Sequence, residues 1–186
     1  MRFTDDRYSG EQAQFQLAMR MIGHEARTHT IRECTGLSDD RIRKIYTTYF
    51  RDHGNGRVRR RRGKSPRQVQ RFIKSPEHRS QAMSLVSLFH TGRLVRIERD
   101  DQVRNCWPRP GVELGHRLCR AFETYCLLHP QRLYNFEWAY SLYFNICYND
   151  ELVIHSCIAC GSLCIRDAYA LDNGLCPACE SGLIVH

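Results

Sequence analysis

Cys157-Ile158-Ala159-Cys160-Gly161 is followed, after fifteen positions counted from Gly161, by Cys176-Pro177-Ala178-Cys179. Two Cys-x-x-Cys pairs at this separation put four sulfurs on one cation, each pair from a single tight turn. Gly161 follows the first pair, where a knuckle favours a residue without a Cβ. Pro177 stiffens the second turn. Four soft thiolates with no open position suit one redox-inert, structural Zn²⁺ held by Cys157, Cys160, Cys176 and Cys179. Cys164 is a fifth thiol close to the first pair and competes for the second position. A pair of disulfides would need an oxidising compartment. A redox-active Cys-x-x-Cys normally comes once, beside a βαβ pattern.

Upstream of this module the chain reads as helical. Phe15, Met19, Ile22 and Ala26 recur at helical spacing over residues 8–33, with Leu17 and Ala18 widening the stripe and room for one break. Gly36 interrupts the pattern. Ser38 is a good N-cap, and Asp39 and Asp40 suit the positive end of a helix that runs to about Phe50. Ile42, Ile45, Tyr46 and Tyr49 share one face of it; Arg41, Arg43 and Lys44 lie on others. This is a helix-turn-helix pattern, although any αα-hairpin needs the same glycine and the same apolar period.

Six of the eight residues from Arg57 to Lys64 are basic, bracketed by glycines and Pro66. Glycine and like-charge repulsion disfavour a helix here, so a flexible basic loop is expected. Arginine grips phosphate with a two-pronged donor set and can enter a narrow minor groove. The DNA-contact candidates are therefore Arg41, Arg43 and Lys44, with Arg57, Arg59, Arg60, Arg61, Arg62 and Lys64 from the loop.

The remaining elements are a short segment over 67–74, a helix after Ser75-Pro76 ending at Gly92, and a short strand or helix edge at 94–98. A loop over 104–111, a helix over 112–129, an aromatic helix over 135–148 and a short strand at 152–155 complete the chain. The aromatic helix is apolar nearly all round, which places it in the core or against another chain. The expected fold is mainly α: a helical DNA- and partner-binding domain over 1–150 with a helix-turn-helix-like segment, then a small four-cysteine zinc module over 151–186.

Charge supports that division. The 186 residues carry a net +8. Residues 1–80 hold 19 Lys/Arg against 9 Asp/Glu, a net of +10; residues 81–150 hold 8 against 7, and residues 151–186 hold 1 against 4. A polyanion would meet the N-terminal part, while the cysteine module is too acidic to be a phosphate-reading finger. No apolar run approaches the ~20 residues of a membrane span. Residues 1–7 show no apolar signal-peptide core, so ten cysteines are expected as thiols or metal ligands in a reducing cytoplasm.

An enzyme is not expected. Nine histidines form no His-x-x-x-His or His-Glu-x-x-His pair, and no Gly-x-Ser-x-Gly or dinucleotide fingerprint occurs. Gly63-Lys64-Ser65 has the end of a Walker loop, but Val58 stands where its first glycine should be. Cys34, Cys119, Cys126 and Cys147 sit on apolar helical faces; Cys106 alone lies in a loop.

Leu37-Ser38-Asp39-Asp40-Arg41-Ile42-Arg43-Lys44-Ile45-Tyr46 resembles a segment of the bacterial flagellar transcriptional activator subunit FlhC. Gly63-Lys64-Ser65-Pro66 with Phe72, the helix with Trp138, and the cysteine quartet follow in a similar order, so the resemblance spans residues 11–180. It implies a heteromeric complex with an FlhD-like subunit, four FlhD to two FlhC. It further implies promoter DNA binding, activation of flagellar operons with RNA polymerase, and one zinc on the four cysteines. The arginine run is denser than the family pattern. The other reading of the same residues is a zinc-stabilised adaptor that binds protein or RNA.

Overall fold

The computed structural model describes residues 2–51, 58–61, 63, 66, 68–149, 151–171 and 173–182, with side chains from residue 8 onward. Three helices open the chain: α1 (Arg2–Gly23), α2 (Thr28–Thr35) and α3 (Asp39–Tyr49). The apolar stripe of α1 is centred on Leu17, Ala18, Met21 and Ile22, all buried, with Phe15 and Met19 at its margin. The break falls at Glu25, which takes φ +59°. The Ala26 amide donates to the Met21 carbonyl at 3.0 Å and the Glu25 amide to the Ile22 carbonyl at 2.8 Å. That is the paired bonding which closes a helix C-terminus, here with glutamate where glycine is usual.

Gly36, at φ +71°, ends α2, and the Ser38 hydroxyl accepts from the Arg41 amide to start α3. Ile42 and Ile45 turn inward onto α1 and α2. The turn between α2 and α3 thus falls where Gly36 and Ser38 predict it.

Next come α4 (Gln70–Ile73) and α5 (Pro76–Thr91), the latter capped by Ser75 and carrying buried Ala82, Leu85, Val86 and Phe89. A hairpin follows, β1 (Val95–Ile97) against β2 (Val103–Asn105), antiparallel with Arg96 opposite Arg104. Within the stretch 94–98, Val95–Ile97 form a strand rather than a helix edge. The stretch expected as loop from 104 begins as β2, because strand pairing supplies partners that a local reading cannot see.

The core is completed by α6 (Val112–Leu128) and α7 (Phe136–Tyr148), whose Leu114, Leu118, Phe122, Phe136, Leu142 and Tyr143 meet α1 and α5. One side of α7 opens to solvent at Phe144 and Tyr148, which are 45% and 49% exposed, so its burial is not all round. Gly115 lets α6 approach α1 and α2 closely. A Cβ there would lie 2.5 Å from Leu17 Cδ2 and 3.1 Å from Cys34 Cβ. Gly115→Ala is expected to destabilise the protein by about 1–3 kcal/mol through overpacking, despite the better helix propensity of alanine. A denaturant midpoint at or above that of the parent would show that the contact yields easily.

Last come β3 (Leu152–Ser156), β4 (Leu163–Asp167) and α8 (Pro177–Glu180). The hairpin pairs Ile154 with Ile165 and packs β4 on α4 and α5. Leu152, Ile154 and Ile165 belong to the same hydrophobic cluster as the helices. The β3–β4 hairpin therefore shares the helical core, while Cys157, Cys164 and Cys176 form a second buried cluster of their own. Among the described residues no helix is long and apolar enough to cross a membrane.

Candidate metal centre and basic face

The first cysteine pair closes the β3–β4 hairpin. The Cys157 amide donates to the Ser162 carbonyl at 2.9 Å and the Gly161 amide to the Cys157 carbonyl at 2.8 Å, with Gly161 at φ +72°. This knuckle is the one that a glycine after the pair predicts. The second pair starts α8: Cys176 is its N-cap, Pro177 takes the first turn, and the Cys176 sulfur accepts from the Cys179 amide at 3.4 Å. A helix N-terminus with a sulfur at its cap directs backbone N–H groups at that sulfur. The Cys176 amide donates in turn to Cys157 Sγ at 3.2 Å, which joins the two pairs.

The four sulfurs of Cys157, Cys160, Cys176 and Cys179 all lie within 4.8 Å of one another, and Cys160 Sγ is 3.6 Å from Cys176 Sγ. Thiolates around a tetrahedral cation, at metal–sulfur bonds of about 2.3 Å, are separated by about 3.8 Å. The quartet could therefore hold a metal ion with little rearrangement. Cys157 and Cys176 are buried; Cys160 and Cys179 are half-buried.

Electrostatics agree with this donor set. Burial pushes the Cys157 thiol up, but backbone N–H groups at Cys160, Cys176 and Ala159 outweigh it and bring it down to about 6. Hydrogen bonds from Ser162 hold Cys160 below its ordinary value. Cys179 moves the other way, raised by burial first and then by the sulfurs of Cys176, Cys160 and Cys157. Several negative sulfurs cannot share one cluster unless a proton or a cation divides them, and a divalent cation does so best.

Cys164 does not join. It lies on β4, buried at 2% exposure, with its thiol donating to the Ser162 carbonyl at 3.2 Å, and burial pushes it up to about 12. It packs in one buried cluster with Cys157 and Cys176, but the four close sulfurs do not include it.

Distant side chains hold the centre in place. Asp101, at φ +62° in the β1–β2 turn, accepts from the Ser156 amide at 2.7 Å and from its hydroxyl at 3.0 Å, one residue before Cys157. Arg79 of α5 pairs with Glu180, one residue after Cys179. Gln70 donates to Asp167 at 3.0 Å. Nothing local in the sequence marks Asp101, Arg79 or Gln70, since each acts across a long stretch of chain.

The basic candidates divide. Arg41, Arg43 and Lys44 are exposed on α3, with Arg43 2.8 Å from Asp40 and Arg41 3.9 Å from Glu11. Arg57, Arg62 and Lys64 lie outside the described residues. Val58–Arg61, expected to be flexible, docks against Tyr46 of α3, Glu25 and Thr28 of α2. Tyr46 donates to the Val58 carbonyl at 2.9 Å, and Val58 packs on the core. The Glu25 carboxylate accepts from the Arg59 amide at 3.2 Å and from Arg61 Nε at 3.0 Å. The left-handed turn at Glu25 supplies the acceptor that the charge pattern alone could not reveal. Arg43, Arg60 and Arg61 come together around a cleft of about 370 Å³ at the start of α2. Arg41 and Lys44 do not line it. Arg27, which the sequence did not mark, does.

Cys34, Cys119 and Cys147 are each pushed up to about 12 by burial, so they stay protonated near neutral pH. No protein-family model matches this chain, and no curated protein matches it.

Proposed function

We propose that this chain is a DNA-binding transcription-activator subunit braced by one structural Zn²⁺. The observation that carries the reading is the meeting of α3, with Arg41, Arg43 and Lys44 exposed, and the docked arginines Arg59–Arg61 at one helix-turn-helix. Arginines on α3 suit a groove or its edges, and the arginine segment suits backbone phosphates. Arg57, Arg62 and Lys64 extend the same basic stretch. Zinc is the metal that four thiolates without an open position favour, and such a centre folds its surroundings rather than activating water. With the likeness of Leu37–Tyr46 and the cysteine quartet to FlhC, the chain would act in the cytoplasm beside an FlhD-like partner, four to two. It would activate flagellar operons with RNA polymerase and carry no catalytic role.

Affinity for duplex DNA tests this. If about five or six phosphates are neutralised, log K is expected to fall with log salt at a slope of roughly −5. A flat salt dependence would remove the basic face from DNA contact. Tighter binding to single-stranded or duplex RNA would favour the adaptor reading instead.

A further inference from the structure

Arg27 is the most confined cation of the cleft at the start of α2. Its side chain is 19% exposed, and its Nε and Nη1 are shielded from solvent with no hydrogen-bond acceptor among the described residues. Glu137 Oε2 lies 3.9 Å from Nε, within ion-pair range but too far for a hydrogen bond. Buried guanidinium donors without acceptors are uncommon, and an anion at the site is one physical reason for them.

Arg60 reaches across the cleft. Its guanidinium is 3.5 Å from Thr28 Oγ1 and 5.9 Å from the centre of the Tyr46 ring, with no carboxylate partner among the described residues. Arg43 and Arg61 complete the basic wall. Both already touch carboxylates, Asp40 at 2.8 Å and Glu25 at 2.7 Å, and Asp39 also lines the cleft. The Arg43–Asp40 pair is solvent-exposed, so it is weak and exchanges readily for a stronger acceptor, whereas the Glu25 partner of Arg61 is half-buried. The α2 N-terminus itself is occupied by Glu137, so guanidinium groups, not the helix dipole, define the site.

We infer that this cleft is a phosphate site, in which Arg27 and Arg60 close on one phosphate group from opposite sides while Arg43 and Arg61 offer further donors. Phosphate fits better than carboxylate because its tetrahedral oxygens accept from several directions at once. The phosphate comes either from a nucleic-acid backbone, in which case the inference rests on the DNA-binding reading, or from a free phosphate or phosphomonoester.

The test uses the full metal-loaded chain. Its ligands are a random-sequence duplex of about 20 base pairs, several times the span that a phosphate contact needs, and inorganic phosphate, with chloride at equal ionic strength as control. Arg60→Gln removes an exposed side chain and should leave the melting temperature unchanged; Arg27→Lys keeps the charge but loses the fork. Arg104→Gln, 76% exposed on β2, measures bulk charge loss alone. Arg60→Gln is expected to weaken duplex binding about fivefold and to lower the salt slope by about one; Arg27→Lys, which keeps its charge, is expected to weaken binding to a similar extent with the slope unchanged, and Arg104→Gln to stay near the parent. Inorganic phosphate should compete with the duplex more strongly than chloride does. If the parent binds duplex and Arg60→Gln behaves as Arg104→Gln does, the cleft is overturned while the DNA-binding reading stands. If the parent binds inorganic phosphate through Arg60 but no duplex, the site holds with free phosphate as its source and the DNA-binding reading falls. Binding of neither overturns both.

Discussion

Cys157→Ala is expected to yield protein without stoichiometric metal and with a melting temperature lower by about 10 °C, on the scale by which a domain of this size responds to loss of a structural ion. Cys157 sits at the centre of the site. Its sulfur accepts from the Cys176 amide at 3.2 Å, its amide closes the hairpin onto Ser162, and it is 3% exposed. Truncation leaves three sulfurs and an unpaired amide. The damage should stay local, because Leu152, Ile154 and Ile165 remain anchored in the main core. Amide exchange is therefore expected to accelerate over 156–162 and 174–180 and to stay slow in α5. Chelation of the parent should reproduce the pattern. Cys164→Ala supplies the contrast: it removes a buried thiol outside the quartet and is expected to keep full metal content. Stoichiometric zinc and normal melting in Cys157→Ala would rule out this quartet as the metal site.

Glu137→Ala is expected to destabilise the protein by about 3 kcal/mol, because it strips the acceptor from buried donors. Glu137 lies on α7 at 1% exposure. Its carboxylate accepts from the Arg27 amide at 2.7 Å and the Thr30 hydroxyl at 3.1 Å. Arg27 is the N-cap of α2 and supplies no side-chain cap of its own, so a carboxylate from another helix takes that role. Negative charge at a helix N-terminus is favourable, more so where water is excluded. Glu137→Gln keeps one acceptor and should cost less, while amide exchange in α2 should rise in both variants. A change within about 0.5 kcal/mol for Glu137→Ala would mean that water replaces the carboxylate easily.

Local chemistry made much of the molecule legible. Gly36 and Ser38 mark the turn between α2 and α3, Ser75-Pro76 starts α5, and Asn135 caps α7 where the pattern changes. The cysteine pairs were readable for the same reason: Gly161 and Pro177 set their turns within a few residues. The centre of the α1 stripe is less legible, since Phe15 and Met19 are apolar but sit at the edge of the packed face. The sequence predicts a flexible arginine segment because repulsion between neighbouring charges is visible in it, whereas the placement of the Glu25 carboxylate that receives the segment is not.

Spacing, caps and composition over short distances specify most of the helices, the turn between α2 and α3, the confinement of positive charge to the N-terminal part and the cysteine quartet. Packing over long distances sets the pairing of β2 with β1, the exclusion of Cys164 from the quartet and the seating of the β3–β4 hairpin on the helical core. It also brings Asp101 to Ser156 across 55 positions, Arg79 to Glu180 across 101, and Glu137 to the start of α2 across 110. The reason is physical. A turn or a knuckle is selected by the conformations its own residues prefer, whereas a buried carboxylate or a strand partner is selected only when packing brings distant segments together and excludes water from between them.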